Sequence, residues 1–331
     1  MELLIKVDLA RIRRNVAAVR AATGGRVLLM VKADAYGHGM KRVARALESD
    51  ADMLGVAVLE EGRALRESGV TAPVLVAAAD ASEYAEAADL GLTVAVCDES
   101  GLDALAAMRR PPAFHLKFDT GMHRLGFPAE DAAKVCARAA RLGLAPEGCY
   151  SHFGAPSKSQ LARFGRVAAA SRRTFPRALL HIASSGTLDF PGALYDMVRV
   201  GHAAYAGAMR VESRVIASRR AKAGDTVGYG LMPLARDTCI AVVLGGYADG
   251  VRRARTAAVI GGVRYPSLGS VCMDMFAVDT GDRCVRPGET AVLLGEELTA
   301  RELADMQGTV DYDILTGFGG RAKRIYTDDQ R

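Results

Sequence analysis

The chain has 331 residues, 50% hydrophobic and 24% charged, a balance that excludes a disordered protein and supplies more apolar surface than one ordinary core needs. The net charge of +5 comes from 43 basic against 38 acidic residues, and the basic ones fall in scattered pairs such as Arg13–Arg14 and Arg252–Arg253. Without a basic run interleaved with aromatics, nucleic acid is excluded as the partner, and without an apolar run near the roughly 20 residues that span a bilayer, so is a membrane helix.

The N-terminal stretch "MELLIKVDLARIRRN" carries an acid at position 2 and breaks its apolar run at Lys6, so it has no signal-peptide core. The six cysteines show neither a CxxC pair nor zinc-type spacing. No metal site is expected, and six free thiols in the cytoplasm is the direct reading.

Eight short apolar runs follow in chain order: "RVLLMV" (26–31), "MLGVAV" (53–58), "PVLVA" (73–77), "LTVAV" (92–96), "AFHLKF" (113–118), "GCYSHF" (148–153), "LLHIA" (179–183) and "DMVRVG" (196–201). Segments of helical period separate most of them, among them 40–49, 59–69, 98–110 and 129–143, with Gly or Pro at their ends. Eight β/α units in about 200 residues is the count of a parallel (β/α)8 barrel. After about residue 210 the runs "TCIAVVLGG" (238–246), "TAAVIGGVRYPSLG" (256–269), "DMFAVD" (274–279) and "TAVLLG" (290–295) are joined by Gly-rich turns, with one helical segment at 299–309. The expected fold class is therefore α/β, an N-terminal barrel over 1–210 followed by a mostly-β domain over 211–331.

In such a barrel the chemistry sits at the C-terminal ends of the strands. Those positions hold Lys32, Asp119 with Arg124, His152, Ser184-Ser185-Gly186 and Arg199-Val200-Gly201. A lysine desolvated at a strand end has its pKa lowered toward the nucleophilic range and is able to form a Schiff base. Small residues after the seventh and eighth strands free backbone amides for an anion. Together they suit an aldehyde that carries a phosphate.

The stretch "VKADAYGHG" (31–39) resembles the lysine signature of the alanine racemase family. "LKFDTGMHRLGF" (116–127), "YSHF" (150–153), "HIASSGT" (181–187), "MVRVG" (197–201), "GDTVGYG" (224–230), "GYADG" (246–250), "GSVCMDM" (269–275) and "VDYDIL" (310–315) resemble its other motifs, in its order. The resemblance runs from about residue 4 to 326 and implies an enzyme that interconverts L- and D-alanine on pyridoxal 5'-phosphate, supplying D-alanine for peptidoglycan. It implies that Lys32 holds the cofactor as an internal aldimine and is one of two acid/base groups, with Tyr229 as the other. Inverting a stereocentre takes a proton from one face and returns it on the opposite face, which one fixed group does not do alone.

By the same resemblance Tyr229 is linked through His181 to Arg199, which faces the pyridine nitrogen, while His152 packs beside the cofactor ring. An arginine keeps its proton at neutral pH and only donates, so the ring is a weaker electron sink than it is beside an acid, which favours racemisation over transamination. The phosphate falls to Tyr36, Ser185, Gly201, the amide of His202 and Tyr312, and the substrate carboxylate to Arg124. Lys117 stands where many family members carry a carbamylated lysine that positions this arginine. Met273 and Asp274 match a loop that, together with Tyr229, reaches a neighbouring subunit's site, implying a homodimer. Ser184 departs from the family's usual Asn, His202 from a common aliphatic residue, and the segment between His152 and His181 is short. Two alternatives stay open on the residues: a racemase of the same fold acting on serine or a longer basic amino acid, and a non-catalytic pyridoxal-phosphate-binding protein.

Overall fold

In the computed structural model, which describes residues 3–328, strand β1 (Leu4–Asp8) does not join the strands that follow it, although it falls within the expected barrel domain. It pairs antiparallel with Met209–Ala221 and parallel with Lys323–Thr327. The chain forms two compact units. One takes Arg13–Ala35 and Met40–Ala204; the other takes the described part of Met1–Ile12, Tyr36–Gly39 and the described part of Tyr205–Arg331. The outer ends of the two expected domains, residues 1–2 and 329–331, lie outside the described residues.

The first unit is built on β2 (Arg26–Met30), β3 (Met53–Val56), β4 (Val74–Val76), β5 (Thr93–Val96), β6 (Ala113–Asp119), β7 (Gly148–Tyr150), β8 (Leu179–His181) and β9 (Met197–Val200). All eight apolar runs become strands. They pair in parallel in the order β9-β2-β3-β4-β5-β6-β7-β8, and a bridge between Ser184 and Arg199 brings the two ends together, so the barrel is nearly closed. Strands β3, β4 and β5 are buried at every position, as befits a parallel sheet covered on both faces. The helical segments become helices Met40–Leu47, Leu59–Glu67, Glu99–Ala107 and Ala132–Arg141. Asp98 caps the third of these by accepting from the Gly101 amide. The segment after His152 contains a 17-residue helix, Lys158–Thr174, started by a Ser157 side chain that accepts from Gln160.

The second unit pairs β10 (Met209–Ala221), β11 (Thr238–Leu244), β12 (Ala257–Ile260), β13 (Val263–Leu268), β14 (Met275–Gly281), β15 (Thr290–Leu294), β16 (Lys323–Thr327) and β1 in the order β11-β14-β13-β12-β15-β10-β1-β16. The long β10 pairs with β15 along 211–214 and with β11 along 215–221, closing part of this sheet on itself. The expected helix at 299–309 runs Ala300–Gln307, with Thr299 and Glu302 in a capping box and Gly308 ending it at φ +64°. Among the described residues no helix is long and apolar enough to cross a membrane.

The expectation of six free thiols is corrected here. Cys239 and Cys284 form a disulfide, with Cα atoms 5.2 Å apart. Antiparallel pairing of β11 with β14 sets Cys239 opposite Gly281, and the turn that follows returns Cys284 to it. Such a pairing is set by strand register and not by spacing in the sequence. Cys97, Cys136, Cys149 and Cys272 remain thiols.

Candidate active site

Strand β2 ends at Met30, and Lys32 follows at the C-terminal end of the strand, half-buried. The backbone after it is unusual: Ala33, Asp34, Ala35 and Tyr36 all have φ between +51° and +54°. A left-handed run of residues with Cβ atoms costs roughly 1–2 kcal/mol per residue, so the surroundings must hold it in place. Glu61 does so. Its Oε1 accepts from the Ala33 amide and its Oε2 from the Ala57 amide, each at 2.7 Å. Asp34 Oδ1 accepts from the Met40 amide at 2.7 Å, tying the turn to the start of the next helix. Burial lowers the Lys32 pKa, the Arg124 guanidinium lowers it further, and Glu61 opposes both.

Arg199, on β9, is buried. Its Nη1 donates to His181 Nδ1 at 2.8 Å and to the His181 carbonyl at 3.3 Å. Its Nη2 donates to the Ser151 carbonyl at 2.7 Å, to His152 Nδ1 at 3.0 Å and to the Ile182 carbonyl at 3.1 Å. Burial lowers its pKa to about 10, which leaves it charged at neutral pH. Its Nε–H has no acceptor among the described residues.

An arginine only donates, so these contacts set the imidazole tautomers. His181 accepts at Nδ1 and therefore donates from Nε2 to His115 Nδ1, 2.9 Å away. Both nitrogens of His181 are engaged, and the ring is fully buried. The expected link from Tyr229 through His181 to Arg199 therefore does not form: no nitrogen is left for a phenol. His152, half-buried on the other Nη, accepts at Nδ1 and keeps an Nε2–H with no partner among the described residues. Burial and then Arg199 hold His152 and His115 neutral, each with a pKa lowered to about 3.

Tyr150 stacks on His181, with centroids 4.8 Å apart and planes 2° from parallel, and Arg199 lies 5.2 Å above its ring. Lys117 is buried, its Nζ 5.7 Å from the same ring. Burial lowers the Lys117 pKa, with smaller contributions in the same direction from Arg124, Arg199 and Lys32. Lys117, Arg124, Ser151 and His152 line one small cavity. The loop bearing Arg124 is shaped by Asp119, whose Oδ1 accepts from the amides of Gly121, Met122 and His123. Past β8 and β9, the Ser185 hydroxyl accepts from the amides of Gly201 and Ala203 at 3.1 and 3.2 Å. The expected cradle residues Ser185, Gly201 and His202 are thus neighbours, with the Ala203 amide added.

The other expected residues lie in the β-rich unit. Tyr36 packs against Tyr205 and Tyr312, with centroids 5.1 and 6.0 Å away, and its hydroxyl pKa is raised to about 12 by burial and then by Tyr312. Tyr229 stands between Gly228 (φ +64°) and Gly230 (φ +86°), 72% exposed. Met273 is 52% exposed, and Asp274 pairs with Arg321 at 2.8 Å.

Glu61, His115, Tyr150 and Arg321 were not read from the sequence. A signal existed for His115: it stands two residues before Lys117 on one strand, so both side chains leave the same face. None existed for Glu61, whose role depends on the backbone of a turn 28 residues away.

The residues fit pyridoxal phosphate. After burial, Arg124 disfavours the charged forms of Lys32, Lys117 and Arg199, and Asp119 is committed to amides, so the barrel mouth favours anionic ligands. A spare guanidinium N–H suits an unprotonated ring nitrogen, and a hydroxyl between two amides suits a phosphate. A nearly closed parallel barrel with a strand-end lysine and this cationic mouth, followed by a β-rich unit, defines a pyridoxal-phosphate-dependent isomerase of the barrel type. Residues 7–208 match the alanine racemase N-terminal domain and residues 208–326 the alanine racemase C-terminal domain, so the chain belongs to the alanine racemase family.

Among its relatives, an alanine racemase of Salinispora arenicola is 36% identical over 98% of this chain and 98% of its own. One of Deinococcus radiodurans is 37% identical over 96% and 97%. The crystal structure of alanine racemase from D-cycloserine-producing Streptomyces lavendulae superposes with a TM-score of 0.92 at 29% identity, covering 99% of this chain and 97% of that one. The biosynthetic alanine racemase of Pseudomonas aeruginosa does so with a TM-score of 0.89 at 32% identity, covering 98% and 99%.

Proposed function

We propose that this chain interconverts L- and D-alanine by a two-base mechanism on pyridoxal phosphate, with Lys32 and Tyr229 as the bases. The observation that carries the reading is the barrel mouth, where a strand-end lysine of lowered pKa stands with Arg199, whose Nε–H is left to donate. When bound, the cofactor supplies the electron sink that makes the Cα–H of an attached amino acid acidic.

Lys32 holds the cofactor and moves a proton at Nζ on one face of Cα. Burial helps by disfavouring the ammonium form, and Glu61 orients the turn on which the lysine stands. Tyr229 moves the proton at Oη on the other face. A free phenol has a pKa near 10, so the tyrosine needs a donor to its oxygen. Any link from Arg199 to that oxygen runs through His152, which has an Nε2–H to give and is kept from taking a second proton by burial and then by Arg199. Arg124 binds the substrate carboxylate and Lys117 stands behind it. Ser185 with the amides of Gly201 and His202, together with Tyr36 and Tyr312, takes the phosphate. The two tyrosines are neutral donors at pH 7, since burial raises both.

The exposure of Tyr229 and Met273 supports a homodimer in which Tyr229, Met273 and Asp274 of each copy serve the other. We further propose a division of labour near residue 210, a cytoplasmic location and a role in supplying D-alanine for peptidoglycan. The names carried by the relatives favour alanine over serine or a longer basic amino acid, and the matched C-terminal domain disfavours a cofactor carrier, which needs no second base. Turnover measured across L-amino acids tests the assignment. Conversion of alanine ahead of serine, lysine and ornithine supports it, and preference for lysine or ornithine overturns it.

A further inference from the structure

We propose that Arg321 is a positioning residue that holds the 272–274 loop in its substrate-facing shape through Asp249, an inference that rests on the assignment of Met273 and Asp274 to the substrate. The segment "GYADG", which the mechanism above leaves without a task, lies directly against this loop. The amides of Gly245, Tyr247 and Ala248 donate to the carbonyls of Asp274, Cys272 and Met273 at 2.8, 3.1 and 3.0 Å. The two backbones are so close that a Cβ at Gly246 would lie 2.2 Å from the Cys272 oxygen.

Asp249 ends this turn with a nearly fully buried carboxylate. Its Oδ2 accepts from the Gly246 amide at 3.0 Å. Arg321 then clasps it side-on, Nε to Oδ1 and Nη2 to Oδ2, both at 2.9 Å. The remaining Nη1 reaches Asp274 Oδ1 at 2.8 Å. Arg321 cannot drift from this position, because the chain before it lies flat on the turn: a Cβ at Gly320 would meet the Ala248 oxygen at 2.2 Å.

One planar guanidinium therefore joins a buried carboxylate to a half-exposed one across the base of the loop. The fork geometry needed to engage both is available to arginine and not to lysine. An exposed ion pair alone adds little, but here the inner half compensates a buried charge, and that anchors the outer half.

Amide hydrogen exchange and steady-state kinetics of the cofactor-loaded enzyme test this with Arg321→Met, Arg321→Lys and Asp274→Asn, the last reducing only the outer arm to a neutral hydrogen bond. Arg321→Met is expected to raise exchange at Gly245, Tyr247 and Ala248 at least about tenfold and the KM for alanine about tenfold, with kcat within about threefold, since binding and not the proton transfers is disturbed. Arg321→Lys should fall between it and the parent. Should Arg321→Met fail to fold, Arg321→Lys carries the test: raised exchange at the same three amides with a raised KM supports the role, and parent values of both overturn it. Unchanged exchange and KM in Arg321→Met, alongside a raised KM in Asp274→Asn, overturns the proposal. Raised exchange with KM unchanged in both variants overturns instead the placement of this loop at the substrate, and the positioning role with it.

Discussion

Glu61→Gln separates the geometry of the lysine turn from its charge. In the parent, one carboxylate accepts from two amides, Ala33 and Ala57, at 2.7 Å each. A carboxamide has one acceptor oxygen, so one amide keeps a neutral hydrogen bond while the other faces an NH2 group. The expected loss is one charge-assisted bond and the weakening of a second, about 2–4 kcal/mol. That is comparable with a large part of the roughly 4–8 kcal/mol that four left-handed residues cost, so the turn should loosen where it carries Lys32. The substitution also removes the charge that raises the Lys32 pKa, leaving burial and Arg124 to lower it unopposed. The assay is a urea unfolding curve together with the pH dependence of kcat for alanine, which reports Lys32 once bound substrate has freed its Nζ. We expect the stability loss above and a shift to lower pH of the limb governed by Lys32. An unchanged unfolding midpoint, or a limb that stays or moves to higher pH, would show that Glu61 neither holds the turn nor opposes the lowering of the Lys32 pKa.

Tyr229→Phe should lower racemisation about 10²–10⁴-fold in both directions while the cofactor stays attached to lysine; chiral assay and absorbance check it, and unchanged turnover removes Tyr229 from its role. Arg199→Lys offers three donors to five acceptors, of which the His181 carbonyl also accepts from the Ser151 amide, so at least one loses its only donor and a cost of about 1–3 kcal/mol is expected by urea unfolding. His115 and His152 are neutral when folded but take up protons when unfolded, so their contribution is present above the ordinary histidine pKa of about 6.5 and is lost as pH falls toward 3. At pH 5 this amounts to about 2 kcal/mol for each imidazole, read from unfolding midpoints at pH 7 and 5. Thiol titration of the unfolded, unreduced protein should find four of the six cysteines, and reduction should destabilise the β-rich unit by up to about 4 kcal/mol for a 45-residue loop.

The barrel was legible because its strands are short, mostly apolar runs, with β3, β4 and β5 buried at every position, and its strand ends held most of the mouth: Lys32, His152, Ser185 and Arg199. The β-rich unit was less so. Strand β1 has the alternating burial of a sheet covered on one face and pairs on both sides with partners some 200 and 320 residues away, which no local pattern marks. The left-handed run after Lys32 was equally hidden, since Ala, Asp and Tyr ordinarily avoid that region. The mistaken link through His181 had a specific cause: a histidine at a strand end looks the same in sequence whether its far nitrogen meets solvent or another buried histidine. The disulfide was missed for a similar reason, because only the β11–β14 register brings Cys239 beside Cys284.

The central claim is that the cofactor sits on Lys32 and that this lysine takes part in inverting alanine. Borohydride reduction of the loaded enzyme, followed by peptide mapping and a D/L-alanine assay of an unreduced portion, tests both parts at once. We expect a single reduced adduct in the peptide containing Lys32, with alanine racemised by the unreduced enzyme and not by the reduced one. An adduct on another lysine, or racemisation that survives reduction of Lys32, would contradict it.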